Sequence, residues 1–468
     1  MTRTGRSRRV AVGRAFLAAA VATGCAPGRL AGTQAQAPRA IALEGKARGE
    51  AAAPDARPVE AERAQHPGLA AAIEGAERAR GLRSKGLFAL KRVARGDIET
   101  LVRRELERGV PPDALAREEA SLKLLSMIEP TVDYRSLVLH VLGEQVVGLY
   151  VPDDKTVYVL EARAQADGAG ERAVVTHEVV HAMQDEHFDL GRLVAWREHA
   201  TDSVAAAHAL AEGDATLAML LEGAPGRSLP DGYVDAFAEQ LRDGNRRLLG
   251  AEVPVSVVDA LVEPYIEGVR FVWAKYVRGG WSAVDAVWRT PPTTTEQVLH
   301  PAKYDVGESP VPFVGPPVPP SRARLTSTSP VGELDVRVWL ASFLPRHEAS
   351  SLAAGWGNGR MELYSRDGQD LVRVRIRWDD DAGGNAKRAA SRLLEALAER
   401  FGSAVKLADY KCIARAEVGP IAIAAGEHEL SVLAGPTTRT PTAVARGRDR
   451  RHGCGGLRAW VAEVGPPT

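Results

Sequence analysis

The chain has 468 residues, of which 45% are hydrophobic and 26% charged, enough for two or three domains with cores of their own. Lys plus Arg and Asp plus Glu both number 60, so no bulk positive field exists to collect phosphates, and nucleic acid is not an expected partner. Three cysteines exclude a disulfide scaffold and any four-thiolate metal site.

The N-terminus reads as an address. A basic leader, MTRTGRSRR, precedes a short apolar stretch over Ala15–Ala22, and Ala22-Thr23-Gly24-Cys25 follows with small residues before a cysteine. This is the pattern of a secretory signal, and the cysteine resembles that of a bacterial lipobox. Residues 1–24 are therefore expected to be a lipoprotein signal peptide, with the mature chain exported and tethered to an envelope membrane by lipid on Cys25. Residues 26–60 are rich in Ala, Gly, Pro and Gln without periodicity, and a flexible spacer is expected over 25–60.

Gly68–Ser126 repeats apolar residues at helical spacing, with a break at Pro111-Pro112. Glu144–Tyr150 and Thr156–Leu160, joined through Pro152-Asp153-Asp154, read as a β-hairpin. Helices are expected over Arg172–Phe188, Asp202–Leu221 (capped by Asp202 or Ser203), Pro230–Leu249 and Val255–Val277. Pro291–Pro320 reads as an extended, proline-rich connection marking a domain boundary. Beyond it, Gly332–Leu344, Arg360–Tyr364 and Leu371–Trp378 alternate like strands. Asn385–Phe401 is an amphipathic helix and Leu430–Ala434 a closing strand. The expected class is α+β: a mainly helical domain over 61–315 with a small edge hairpin, a smaller α+β domain over 330–435, and a disordered tail over 436–468. Cys412 and Cys454 are able to pair in an oxidising compartment, but a disordered tail argues against that bridge.

The chemistry lies in His177-Glu178-Val179-Val180-His181. Two histidines at i and i+4 share one face of a helix and can hold one metal ion, while Glu178, about 100° round, reaches a water beside it. Apolar flanks argue against two solvated histidines. A catalytic zinc site needs a third protein ligand. Glu212, in Ala211-Glu212-Gly213-Asp214-Ala215 on the next helix, is the main candidate, and His208, one turn earlier, is its rival. Gly213 costs about 1 kcal/mol inside a helix relative to Ala, which suggests close approach of two helices at the metal. His187, Met183, Trp273, Trp281 and Trp288 read as structural.

A hairpin, His-Glu-x-x-His and a Glu on a following helix together resemble the gluzincin (thermolysin-type) zinc metallopeptidases. The stretch Thr176–Leu190, Glu212-Gly213-Asp214-Ala215, Pro264-Tyr265, Gly279-Gly280-Trp281 and Thr295–Tyr304 more specifically resemble a family of bacterial and archaeal metallopeptidase-like proteins. That resemblance spans roughly 145–310 and extends loosely to Gly355-Trp356-Gly357. It implies a thermolysin-like core holding Zn2+ through His177, His181 and Glu212, with Glu178 as general base and a peptide or protein as substrate. One departure is that Asp214 follows Glu212 by two positions rather than four. The carboxylate that orients the ligands is thus open between Asp185 and Asp214. Donors to a developing oxyanion are sought in His300 and Tyr304, with Tyr265 a third candidate. The Thr156–Leu160 strand is the expected edge for an extended substrate. Two other functions fit the same residues: an inactive, zinc-stabilised surface module, and a zinc hydrolase acting on cell-wall peptides.

Overall fold

The computed structural model describes residues 19–21, 67–161, 168–313, 323–366, 368–379, 384–438, 450–465 and 467. Cys25 and the 25–60 spacer lie outside the described residues, as does the 1–24 leader apart from Ala19–Val21. The chain is mixed α and β, in two parts that meet along one long helix.

The first part opens with α1 (Pro67–Arg80), then strand β2 (Ala89–Val93), α2 (Arg95–Gly109), α3 (Pro112–Leu124) and α4 (Tyr134–Gln145). The expected hairpin follows as β3 (Val146–Val151) and β4 (Thr156–Leu160), in antiparallel register with Leu149 opposite Tyr158. With β1 (Ala19–Val21) these strands form a sheet ordered β1-β3-β4-β2. Thr156–Leu160 is therefore not an edge. Ala89–Val93, which reads as part of a helical stretch, returns as its parallel partner, and the strand nearer the expected metal residues is β3.

Three long helices complete this part: α5 (Gly168–Phe188), α6 (Thr201–Gly223) and, after α7 (Tyr233–Leu249), α8 (Val255–Arg289). Helix α6 is long and apolar enough to cross a membrane, but it is buried inside the protein. Burial on every side accounts for its apolar composition. It starts at Thr201, and Asp202 is no cap: its Oδ1 accepts from the Thr295 N–H and Oγ1 instead. Helix α8 runs past the expected end at Val277, breaking at Gly279 and Gly280. The segment Pro291–Pro320 is not wholly extended, since it contains α9 (Thr295–Leu299) and α10 (Pro301–Val306). Thr294 caps the first by accepting from the Gln297 N–H, and Pro301 sits at the start of the second, where its missing N–H costs nothing.

The second part is a seven-stranded antiparallel sheet. Its strands are β5 (Arg324–Pro330), β6 (Trp356–Arg366), β7 (Gln369–Trp378), β8 (Val405–Leu407), β9 (Tyr410–Ile413), β10 (Ile421–Ala425) and β11 (Glu429–Thr438), in the order β5-β6-β7-β11-β10-β9-β8. Gly332–Leu344 is not a strand. It holds α11 (Glu333–Ala341), followed by α12 (Arg346–Ala353). Leu334, Val336, Val338, Trp339 and Leu340 are all buried, so alternation there does not mark one face, and the Asp335 carboxylate accepts from the Gly332 N–H to start the helix.

The amphipathic helix appears as α13 (Asn385–Phe401), its Leu393 and Leu397 packed with Val374, Ile376 and Val432 on one sheet face. The opposite face is covered from the C-terminus. Part of the expected disordered tail is ordered as α14 (Arg450–Gly455) and α15 (Arg458–Val464), with Leu457, Trp460 and Val461 buried against Tyr364, Tyr410 and Leu433. The Cys412–Cys454 bridge forms, with a Cα–Cα distance of 6.0 Å. Three apolar residues at i, i+3 and i+4 and one covalent tie suffice to hold this segment. The two parts meet where Asp259, Glu263 and Glu267 of α8 pair with Arg346 and Arg337.

Candidate metal centre

Helix α5 buries Val175, Val179, Val180, Ala182 and Met183 against the first sheet and α6. That packing turns His177 and His181 inward, one turn apart, with ring centroids 4.7 Å from each other. Glu212 comes from α6. His177 Nε2 and His181 Nε2 lie 3.0 Å apart, and Glu212 Oε2 lies 3.1 Å from the first and 3.4 Å from the second. Donors around a tetrahedral zinc at about 2.0–2.1 Å are separated by roughly 3.3 Å. The three atoms therefore form a face of the right size for such an ion, and two imidazoles with one carboxylate are a donor set that zinc favours.

Gln184 sets the state of His181. Its Nε2 donates to the Ala211 carbonyl at 2.9 Å, which turns its Oε1 toward His181 Nδ1, also at 2.9 Å. Only an Nδ1–H can donate there, so Nε2, which faces His177 Nε2 and Glu212 Oε2, is the nitrogen free to offer a lone pair once the ring has lost its second proton. Gln184 thus stands beside His181 where Asp185 or Asp214 was expected, and neither carboxylate is hydrogen-bonded to His177 or His181. Asp185 accepts from the Tyr150 hydroxyl (2.7 Å), Lys155 Nζ (2.5 Å) and the Gly191 N–H (3.2 Å), tying the end of α5 to the hairpin turn. Asp214 pairs with Arg80 Nε at 2.5 Å and accepts from Trp288 Nε1 at 2.6 Å, joining α6 to α1 and α8.

Glu178 is fully buried, and its Oε2 accepts from the Tyr150 N–H of β3 at 2.8 Å. The strand comes this close because residue 148 is glycine: a Cβ there would stand 2.6 Å from Val174 Cγ1 and 2.8 Å from Glu178 Cγ. Gly213 has the same role between helices, though its partner is α8 rather than α5. A Cβ on Gly213 would lie 2.1 Å from the carbonyl of Gly268.

Burial disfavours charge on His177, His181 and Glu212 alike. It keeps His177 below its usual pKa, but the Glu212 carboxylate outweighs it at His181 and lifts that ring to about 9. In return His181 and His177 hold Glu212 well below the carboxylate range despite its burial. His208 Nε2 stands 3.7 Å from Glu212 Oε1 and is not among the converging atoms, and burial depresses its pKa.

Comparison with known proteins covers only the second part of the chain. Residues 322–445 match a family model described as a domain of unknown function (DUF8575). No curated protein and no solved structure gives a match.

The expected oxyanion donors are engaged elsewhere. His300 Nε2 is bound by both Glu333 oxygens at 2.9 Å, and the Tyr304 hydroxyl donates to the Thr290 carbonyl at 2.8 Å. Tyr265 is the candidate that reaches the centre, its ring stacked on His177 at 6.3 Å and 19°. A second carboxylate group, Glu296, Glu308 and Asp379, surrounds Lys303 Nζ at 2.5–2.6 Å, so a lysine occupies the point where the three converge.

Proposed function

We propose that the chain is a zinc-dependent peptidase of the gluzincin type, with the metal held by His177, His181 and Glu212. The observation that carries this reading is the convergence of their Nε2, Nε2 and Oε2 atoms within 3.4 Å, one residue from a buried glutamate. Zinc in this position supplies Lewis acidity and brings the ionisation of water toward neutral pH. Glu178 then takes a proton from the attacking water and passes it to the leaving amine nitrogen of a peptide bond. The Tyr150 N–H holds this carboxylate in one orientation, Gln184 keeps the His181 lone pair turned inward, and Tyr265 braces the His177 ring. The leader and Cys25 support an exported, lipid-tethered protein, and the Cys412–Cys454 bridge accords with an oxidising compartment.

Burial of His177, Glu178, His181 and Glu212 to 2% exposure or less favours a second reading, a zinc-stabilised module without turnover. Zinc content by mass spectrometry and hydrolysis of casein or a peptide library separate the two. On the peptidase reading the wild type binds zinc and cuts, Glu178→Gln binds zinc and does not cut, and Glu212→Ala loses both while His208→Ala keeps both. A zinc-loaded wild type without hydrolysis leaves the module reading. Hydrolysis retained by Glu178→Gln refutes the general-base role.

A further inference from the structure

A chamber of about 150 Å3 lies between α2–α4, α8 and the second part of the chain. Its wall is apolar, with Leu106, Val138, Leu142, Leu261, Pro264 and Trp339 among its residues. A smaller chamber of about 60 Å3 shares Val110, Glu118, Ser121 and Met361 with it. That second wall is more polar than the first and includes Arg117, Glu198, Thr201 and Ser327 beside Ala114, Trp196 and Leu363. An apolar pocket of this size accommodates an aromatic ring.

The larger chamber stands in a defined relation to the metal centre. Helices α6 and α8 are in backbone contact at Gly213 and Gly268. Ala205 and Ala260, each eight residues before the glycine of its own helix, both line the chamber. Ala205, His208 and Glu212 follow at i, i+3 and i+7 on one face of α6, which puts the chamber roughly 10 Å from the third ligand along that helix. Pro264 lines the chamber, and the next residue, Tyr265, stacks on His177.

The charged and hydroxyl groups in the second wall select the kind of group attached to the apolar one. Arg117 is shared between Asp113 and Glu198, and Ser327 also donates to Glu198. With Glu118 beside them the local charge is not positive, so an anionic head such as a fatty carboxylate is disfavoured. An uncharged amide suits it, since its N–H can share the Glu198 carboxylate with Arg117 and Ser327.

We propose that the two chambers form an exosite for one large apolar side chain of a polypeptide, with the side chain in the larger chamber and its flanking amides in the smaller. The polypeptide nature of the ligand rests on the peptidase reading; the pocket itself does not.

The test uses the full chain carrying Glu178→Gln and three probes, N-acetylphenylalaninamide, N-acetylalaninamide and octanoate, with affinities from calorimetry or ligand-observed NMR. The phenylalanine amide is expected to bind at least tenfold tighter than the alanine amide. Adding Ala260→Phe or Ala205→Leu, from two different helices, is expected to weaken it at least tenfold with zinc content unchanged. Equal binding of the two amides, or binding that survives both filled variants, overturns the proposal, and so does octanoate binding tighter than the phenylalanine amide. If both filled variants misfold, the comparison of probes on the unfilled chain decides. A wild type that binds the phenylalanine amide but cuts no casein removes the peptidase reading and keeps the pocket; the reverse result keeps the peptidase and removes the pocket.

Discussion

Gly213→Ala probes how Glu212, the third ligand of the proposed zinc site, is placed. The added methyl would stand 2.1 Å from both the carbonyl carbon and the oxygen of Gly268, and 2.7 Å from the Val269 nitrogen. Contact distances between such atoms are about 3.5 Å, so α6 and α8 must separate by roughly 1 Å or more. Both obstacles are backbone, and no side chain can turn aside. Alanine gains about 1 kcal/mol over glycine in a helix interior, whereas overpacking a core costs about 1–3 kcal/mol, with backbone clashes at the upper end. A net loss of about 1–2 kcal/mol is expected. On the proposed zinc site the larger effect falls on metal binding, because Glu212 is the adjacent residue and metal–donor distances tolerate only about 0.2 Å. Zinc affinity should fall at least about tenfold, as it does when a group supporting a ligand is lost. Urea unfolding of the zinc-free protein and zinc affinity by competition with a chelator measure the two effects. Gly143→Ala is the control, since only Glu99 Cγ, at 3.3 Å, lies near its Cβ, and it is expected to be neutral or stabilising. A Gly213→Ala protein with wild-type midpoint and wild-type zinc affinity would refute the claim that the α6–α8 contact positions Glu212.

Gln184→Leu should cost about 10–100-fold in zinc affinity by freeing the His181 tautomer, while Asp185→Asn should loosen the hairpin and leave zinc affinity in place; chelator competition reads both. Burial pushes Glu296 up to about 7, against the opposing pull of Lys303 and with Glu333 and Asp379 adding to the rise. Because the folded value lies above the unfolded one, this group's contribution is fully present at acid pH and is lost as pH rises through about 7. Glu296→Gln should therefore match wild-type stability near pH 4 and exceed it increasingly up to pH 8, and a pH-independent difference in urea midpoint would contradict this. Cys412→Ser with Cys454→Ser opens a loop spanning 42 residues, and the chain-entropy relation predicts a loss of about 4 kcal/mol, read as a lower urea midpoint for the second part.

Features set by neighbours in the chain were legible without a structure. His177 and His181 share a face because any helix puts i and i+4 together, and the bounds of Asn385–Phe401 follow from its one-sided pattern of Leu and Ala. Pro152-Asp153-Asp154 announced the hairpin, and Gly213 announced a close contact, though not its partner. Where a segment is buried on all sides, periodicity no longer reports its structure, and Glu333–Ala341 became a helix despite its alternation. The outer partner of His181 was hidden for a related reason. Gln184 acts only because the Ala211 carbonyl of another helix fixes its amide, and that carbonyl leaves no mark in the sequence around it. Packing in space likewise decided that Ala89–Val93 pairs with β4, that His300 pairs with Glu333, and that Cys454 meets Cys412. The sequence by itself determined which side chains are candidates for the converging group and the local geometry that brings His177 and His181 together. Tertiary structure alone decided which groups orient them, because hydrogen bonds and close contacts between distant segments depend on where the helices cross.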